Sequence, residues 1–410
     1  MRVLIAAVGS RGDVAPFTGL GVRLQDEGHQ VTIATHGLFE AYVTGCGLGF
    51  HRLPVDTREE LAARVEADGG RSPARMTLAV NRALAAHAGE TAAALTAAAR
   101  DADVLLLTPL SWIGGHVAEG LGLPSIGVYL QPMTPTREFP PATVTTRTLG
   151  GWGNRTAASA LRIAGMRPSR RVVDELRAGF GLPPVAPGAW LAGLEASRWP
   201  ICYGFSPLVV PPPADWPDFH RPVGYWWPAP EPDFKPGSEL AGFLASGPPP
   251  IYVGFGSLPA TDRAALSSLV GAAIREAGVR AVVHGGWGGL TVAGDDVLAV
   301  EDVPHSWLFP RMAAVVHHAG AGTAAAGLRA GVPSVPVPFM VDQPFWAGRL
   351  HRLGVTPGPI PMRRLTAGRL AAALTQAIGD PVYRQRATEI AALLAREDGA
   401  AGVVQRLREI

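Results

Sequence analysis

Runs of four to six consecutive apolar residues recur along the chain, separated by longer stretches in which Ala, Leu and polar residues mix at helical spacing. Residues 3–8 read as a buried strand, 17–27 as a helix and 31–35 as the next strand. The pattern repeats at 104–108 and 125–130, then restarts at 251–255, 281–284, 297–300, 313–316 and 334–337. A near-continuous apolar run needs cover on both faces, which parallel sheets receive from their crossover helices. Between the two series lies a proline-dense stretch, 207–236. Proline fixes φ and lacks an N–H, so this stretch is expected to be extended linker and not element interior. The predicted fold is α/β, with two doubly wound Rossmann-like domains. The N-terminal domain spans 1–210, the linker 211–236 and the C-terminal domain 237–385. A C-terminal helix over 386–410 is expected to pack back on the first domain. A second proline-rich segment, 131–143, lies inside the first half.

Composition narrows the possibilities. The chain has 410 residues, 47% hydrophobic and 17% charged, enough for two well-filled cores and too apolar for disorder. With a formal net charge of +2 and no Lys/Arg run, nucleic acid is not an expected partner. Lys235 is the single lysine, and the bias to Arg, Ala, Gly and Pro is that of a GC-rich, bacterial-type gene. Cys46 and Cys202 are too few for a disulfide framework or a zinc site. Residues 1–8 lack the apolar length of a signal peptide and no run approaches a membrane span. A cytoplasmic location without stable membrane insertion is the expectation.

In open parallel sheets ligands bind beyond the carboxyl ends of the strands, so the residues that follow each strand are the candidates for chemistry. After 313–316 comes His317-His318-Ala319-Gly320-Ala321-Gly322-Thr323, opening a helix. Gly320 and Gly322 permit a tight turn, the helix start offers unpaired N–H groups to an anion, Thr323 can cap and donate, and His318 adds an imidazole donor. A glycine-rich turn with buried histidines is the structural alternative. Ser257, after 251–255, offers another donor. Val8-Gly9-Ser10-Arg11-Gly12-Asp13 lacks dinucleotide-binding spacing but displays a carboxylate, Asp13, as a general base for a hydroxyl; an ordinary helix cap is the alternative. Asp342-Gln343 offers acceptors and donors suited to sugar hydroxyls, or a helix cap before Pro344. Trp287, Val303 and His305 can form a slot for a planar base, or pack in a core. Asp101-Ala102-Asp103 has metal-diphosphate spacing but precedes its strand, at the wrong edge. His317 and His318 are neighbours that point different ways, not paired zinc ligands.

Taken in order, 9–14, 28–32, 254–257, 287–289, 303–309, 317–331 and 342–346 resemble GT-B glycosyltransferases of family 1. The likeness is to sterol 3-β-glucosyltransferases and to bacterial enzymes that glycosylate antibiotic aglycones. Residues 136–140, 325–331 and 342–346 look sterol-type in particular. The resemblance implies two domains facing each other across a cleft and one inverting, metal-independent displacement. Asp13 would be the base, with Ser10 and Arg11 beside it facing donor or acceptor. His318, Gly320, Gly322 and Thr323 would bind the donor diphosphate, helped by Ser257. Trp287, Val303 and His305 would line the base pocket, and Asp342 and Gln343 would grip the sugar. The co-substrate would be a UDP- or dTDP-linked hexose, with no further cofactor, and the acceptor a hydrophobic molecule bearing a hydroxyl. Ala319 departs from the bacterial Gly and Ala326 from the ribose-binding Glu of plant members. A nucleotide-sugar epimerase of the same fold, or a catalytically silent glycosyltransferase partner, are the competing readings.

Overall fold

The computed structural model describes residues 1–54, 82–83, 85–231, 234–256, 262–286 and 289–410. Contacts divide these into two compact units: 1–54, 82–230 and 398–410 form the first, and 231–397 the second.

The first unit is built on seven parallel strands: β1 (Arg2–Ala6), β2 (Gln30–His36), β3 (Gly49–Leu53), β4 (Val104–Leu107), β5 (Ser125–Tyr129), β6 (Ile201–Tyr203) and β7 (His220–Pro222). Their order is β3-β2-β1-β4-β5-β6-β7, and the strand order reverses between β1 and β4. Alternate residues of β1 serve opposite faces, as the period of two requires. Val3 and Ile5 pack with Val14, Phe17, Leu20 and Leu24 of α1 (Arg11–Asp26). Leu4 and Ala6 pack with Ala92, Leu95 and Val117 on the other side. The second unit has five parallel strands: β8 (Ile251–Gly254), β9 (Ala281–His284), β10 (Val297–Val300), β11 (Val315–His317) and β12 (Ser334–Pro336). Their order is β10-β9-β8-β11-β12, and both faces are again covered. Among the described residues no helix is long and apolar enough to cross a membrane.

Three expectations need correction. Most of the proline-dense stretch is not free linker. Residues up to Pro230 belong to the first unit and supply the edge strand β7, where proline costs no internal ladder bond. Aromatic anchors override the local preference for extended linker: Trp216 stacks on Tyr203 at 4.7 Å, and Trp226 packs on Phe17 at 5.6 Å. Secondly, 386–410 is not one helix. Pro381–Leu394 ends in the second unit, and Gly399–Arg408, capped by Asp398 accepting from Ala401 N–H, packs against α1 in the first. Thirdly, α1 begins six residues before the predicted start, at Arg11, and runs through Pro16. Strands β3 and β7 mix His and Arg with their apolar residues, and β6 is only Ile201-Cys202-Tyr203, so none of the three was predicted.

Burial also strips four imidazoles of water. Burial pulls His116, His220 and His318 down from 6.5 to about 4, and His317 to about 3. For His116 the Arg177 charge adds to the effect, and for His220 that of Arg162.

Two measurements test this packing. Trp226 is 4% exposed, and its indole N–H donates to Gly399 O at 3.0 Å, joining the proline-rich stretch to the returning helix. Trp226→Ala should cost about 3–5 kcal/mol in urea unfolding, the range for a large buried aromatic; a loss below 1 kcal/mol would show the stretch to be loosely held. Each buried histidine has a folded pKa below its unfolded value of 6.5, so the unfolded chain binds more protons in that window. Stability should therefore fall as pH drops from 6.5 towards 4. His220→Gln should flatten that slope; a urea midpoint independent of pH in this window would show the imidazoles to protonate at no cost.

Candidate active site

In the first unit the chain leaves β1 through Ala7-Val8-Gly9 and enters α1 at Arg11, with Ser10 as the N-cap residue. Asp13, third in the helix, reaches back to that cap. Ser10 N–H and Ser10 hydroxyl both donate to its Oδ2, each at 2.9 Å. The alternative expectation, Asp13 as the N-cap itself, is corrected: Ser10 takes that position, and Asp13 is the third helical residue, whose carboxylate closes a capping box. Gly9 stands at φ +142°, and a Cβ there would meet Asp13 Oδ2 at 2.5 Å. The turn therefore excludes any side chain at position 9. Burial raises the Asp13 pKa above the usual carboxylate value, and this outweighs hydrogen bonds from Ser10 and Gln131 and the influence of His36. A half-buried carboxylate so tuned suits proton acceptance.

Two partners of Asp13 were not singled out from the sequence. Gln131 lies just past β5, and His36 ends β2, where its Nε2 accepts Gly9 N–H at 3.3 Å. The rule that ligands gather beyond strand ends applies to both positions. His36 also borders a small space of about 30 Å³, between apolar Val8, Leu53 and Ile113 and polar His87, Thr91 and Ser169. Arg11 is exposed at the helix start, its guanidinium 5.1 Å from the centre of the Tyr42 ring. Asp103 of the metal-type spacing is held by Arg2 through the backbone N–H and guanidinium, at the amino-terminal end of β1 and β4.

In the second unit β11 ends at His317 and the helix Ala321–Arg329 starts after an N-cap at Gly320. No side chain caps that helix. Here the expectation for Thr323 is corrected: it is the third helical residue, behind Gly322, and Gly320 takes the cap position because the turn is too tight for a side chain there. A Cβ at Gly320 would lie 2.4 Å from His318 Nε2, and one at Gly256 2.8 Å from His318 Cε1. The His318 imidazole thus lies in a slot between two glycines, neutral at pH 7 and able to donate one N–H. The uncapped helix start supplies the remaining donors and a partial positive charge. Ser257 and Trp287 lie outside the described residues.

After β12, Asp342 and Gln343 open the helix Gln343–Arg352. Asp342 occupies the N-cap position without capping; its Oδ2 instead accepts Trp346 indole N–H at 2.8 Å. Gln343 Oε1 accepts Phe339 and Met340 N–H at 2.8 and 3.0 Å. The acceptor expected of Gln343 is therefore spent on its own loop, and its NH₂ is what it has to offer a ligand. Val341, just before, sits at φ +51°, unfavourable for a β-branched residue and typical of over-determined ligand loops. Val303 packs at the edge of the core around Leu308, Phe309 and Leu298. His305 stacks on Phe309 with ring centres 4.2 Å apart, and its Nε2 lies 3.4 Å from Tyr252 hydroxyl. Both are half-buried, between core and surface.

Comparison with known proteins accounts for both units. The glycosyltransferase family 28 N-terminal domain matches residues 3–140. The erythromycin biosynthesis protein CIII-like C-terminal domain matches residues 277–410. A sterol 3-beta-glucosyltransferase of Arabidopsis thaliana is 34% identical over 98% of this chain and 67% of its own length. The O-mycaminosyltylonolide 6-deoxyallosyltransferase of Streptomyces fradiae is 35% identical over 97% of this chain and 95% of its own. Of a second Arabidopsis sterol 3-beta-glucosyltransferase the chain spans 65%, and of fungal ones 25% and 26%. The solved structure of glycosyltransferase VinC in complex with dTDP superposes with a TM-score of 0.67 at 21% identity, covering 100% of this chain and 99% of that one. With its two doubly wound units, the chain belongs to the GT-B glycosyltransferases, in the branch that holds sterol 3-beta-glucosyltransferases and Streptomyces antibiotic glycosyltransferases.

Proposed function

We propose that the chain transfers a hexose from a UDP- or dTDP-sugar to a hydroxyl of a hydrophobic small molecule, with inversion and without a metal, and that Asp13 is the base. The observation that carries this reading is the Asp13 carboxylate. It is fixed at the carboxyl end of β1, raised in pKa by burial, and keeps an oxygen that the Ser10 contacts do not occupy. In the reaction Asp13 takes the proton of the acceptor hydroxyl as that oxygen bonds to the anomeric carbon. The bond from that carbon to the diphosphate breaks on the opposite face, which inverts the centre.

Leaving-group charge is met by the uncapped start of the helix Ala321–Arg329 and by an N–H of His318. Because that imidazole is neutral, the helix terminus supplies the positive potential and His318 a directed hydrogen bond. Asp342 and the Gln343 NH₂ are assigned to the sugar hydroxyls. In support of a thymidine-type donor, two similar structures are described as complexes with dTDP or thymidine diphosphate. The O-mycaminosyltylonolide 6-deoxyallosyltransferase of Streptomyces fradiae supports a natural-product aglycone as much as the plant sterol 3-beta-glucosyltransferases support a sterol.

Asp13→Asn keeps size and polarity but removes the proton acceptor, so kcat should fall roughly 10²- to 10⁴-fold with donor Kd little changed. In the wild type the acidic limb of the pH–rate profile should lie above the usual aspartate range, matching the raised pKa, and should vanish in the variant. Near-normal kcat in Asp13→Asn with every competent acceptor would reject the base assignment. Turnover should also survive EDTA; loss that Mg²⁺ or Mn²⁺ restores would reject metal independence.

A further inference from the structure

His317 has no part in the reaction just described, yet it is fully buried and sits where β11 continues Val315 and Val316. Its Nδ1 accepts Ala319 N–H at 3.0 Å, which leaves the ring proton on Nε2. That Nε2 is buried with no hydrogen-bond partner among the described residues. An imidazole with one unsatisfied nitrogen is costly in a position where valine would fill the space, so its value has to lie in the bond it does make.

That bond closes over a strained residue. Ala319 is fully buried at φ +63°, a left-handed conformation disfavoured for any residue with a Cβ. A side chain that accepts the N–H two residues onward is the device by which Asn and Asp stabilise such turns. Imidazole Nδ1 occupies the place of the Asn side-chain oxygen. The turn in question carries His318 on one side and the cap residue Gly320 on the other, with clearance so small that a Cβ at Gly320 would strike His318. If Ala319 relaxed to right-handed backbone, the peptide planes on both sides would rotate. His318 would leave its slot and the helix start would point elsewhere.

We propose that His317 is a positioning residue for the diphosphate loop: its hydrogen bond to Ala319 N–H holds the left-handed turn that aims His318 and the amino terminus of the helix Ala321–Arg329. The proposal rests on the assignment of this loop to the donor diphosphate. It does not place His317 in contact with the ligand.

The test is titration calorimetry of the full chain with dTDP and with UDP. His317→Leu fills the space without an acceptor and should weaken nucleotide binding about tenfold or more, the scale expected for a buried N–H left unpaired. His317→Asn restores an acceptor at the same place and should bind close to wild type. The double variant His317→Leu/Ala319→Gly should regain most of the lost affinity, because glycine holds the left-handed turn unaided. A merely structural role for His317 would leave no reason for that rescue. Should His317→Leu not fold, His317→Phe carries the same expectation. If wild type binds neither nucleotide, the diphosphate assignment itself falls. If wild type binds but His317→Leu binds equally well, or the folded double variant is no better than the single, the positioning role is wrong and the assignment stands.

Discussion

A parallel strand can be continued only by turning out of the sheet, and the next helix must then bring its own unpaired N–H groups into that turn. This chain meets the constraint differently in its two units. After β1, the N–H groups of the turn are drawn onto a carboxylate of the same helix, Asp13, through Ser10. After β11, the helix start is left uncapped behind Gly320, and a neutral imidazole is placed beside it. One solution concentrates negative charge and the other displays positive potential. That division follows from which end of the hydrogen bond the turn supplies.

Much of this was legible in the sequence, for identifiable reasons. Strands β1, β2, β4, β5 and β8 to β12 are written largely in apolar residues, because the sheets are covered on both faces, and could be read with small errors at their ends. Strands β3 and β7 were missed because His and Arg interrupt their apolar residues, and β6 offers only Ile201-Cys202-Tyr203. The proline-dense stretch misled because proline reports only local preference. What fastens 207–230 to the first unit is long-range, in Trp216 on Tyr203 and Trp226 on Phe17.

At the site, residue types announced themselves and their engagements did not. Asp13, His318, Asp342 and Gln343 stood out as candidates because each follows the carboxyl end of a predicted strand. That Gln343 spends its oxygen on Phe339 and Met340, or that Gln131 and His36 act on Asp13, depends on side-chain directions that no spacing encodes. Positive φ at Ala319 and Val341 was hidden in the same way, since neither residue advertises a left-handed turn. Sequence rules failed at the loops where the fold tolerates strain, which is where function is usually held.

The first unit is assembled from widely separated pieces of chain. Val403, Val404 and Leu407 of the helix Gly399–Arg408 belong to the same core as Val3, Ile5 and Phe17, and Arg408 pairs with Glu27 across 381 positions. Residues 231–397, by contrast, are contiguous. During synthesis the ribosome releases the amino-terminal strands first, yet their core stays open along α1 until residue 407 has emerged. The unit made first is thus the one finished last. Nascent chains will leave part of the α1 surface exposed until that helix has been made, and chaperone demand should track that interval more than the overall stability of the folded protein.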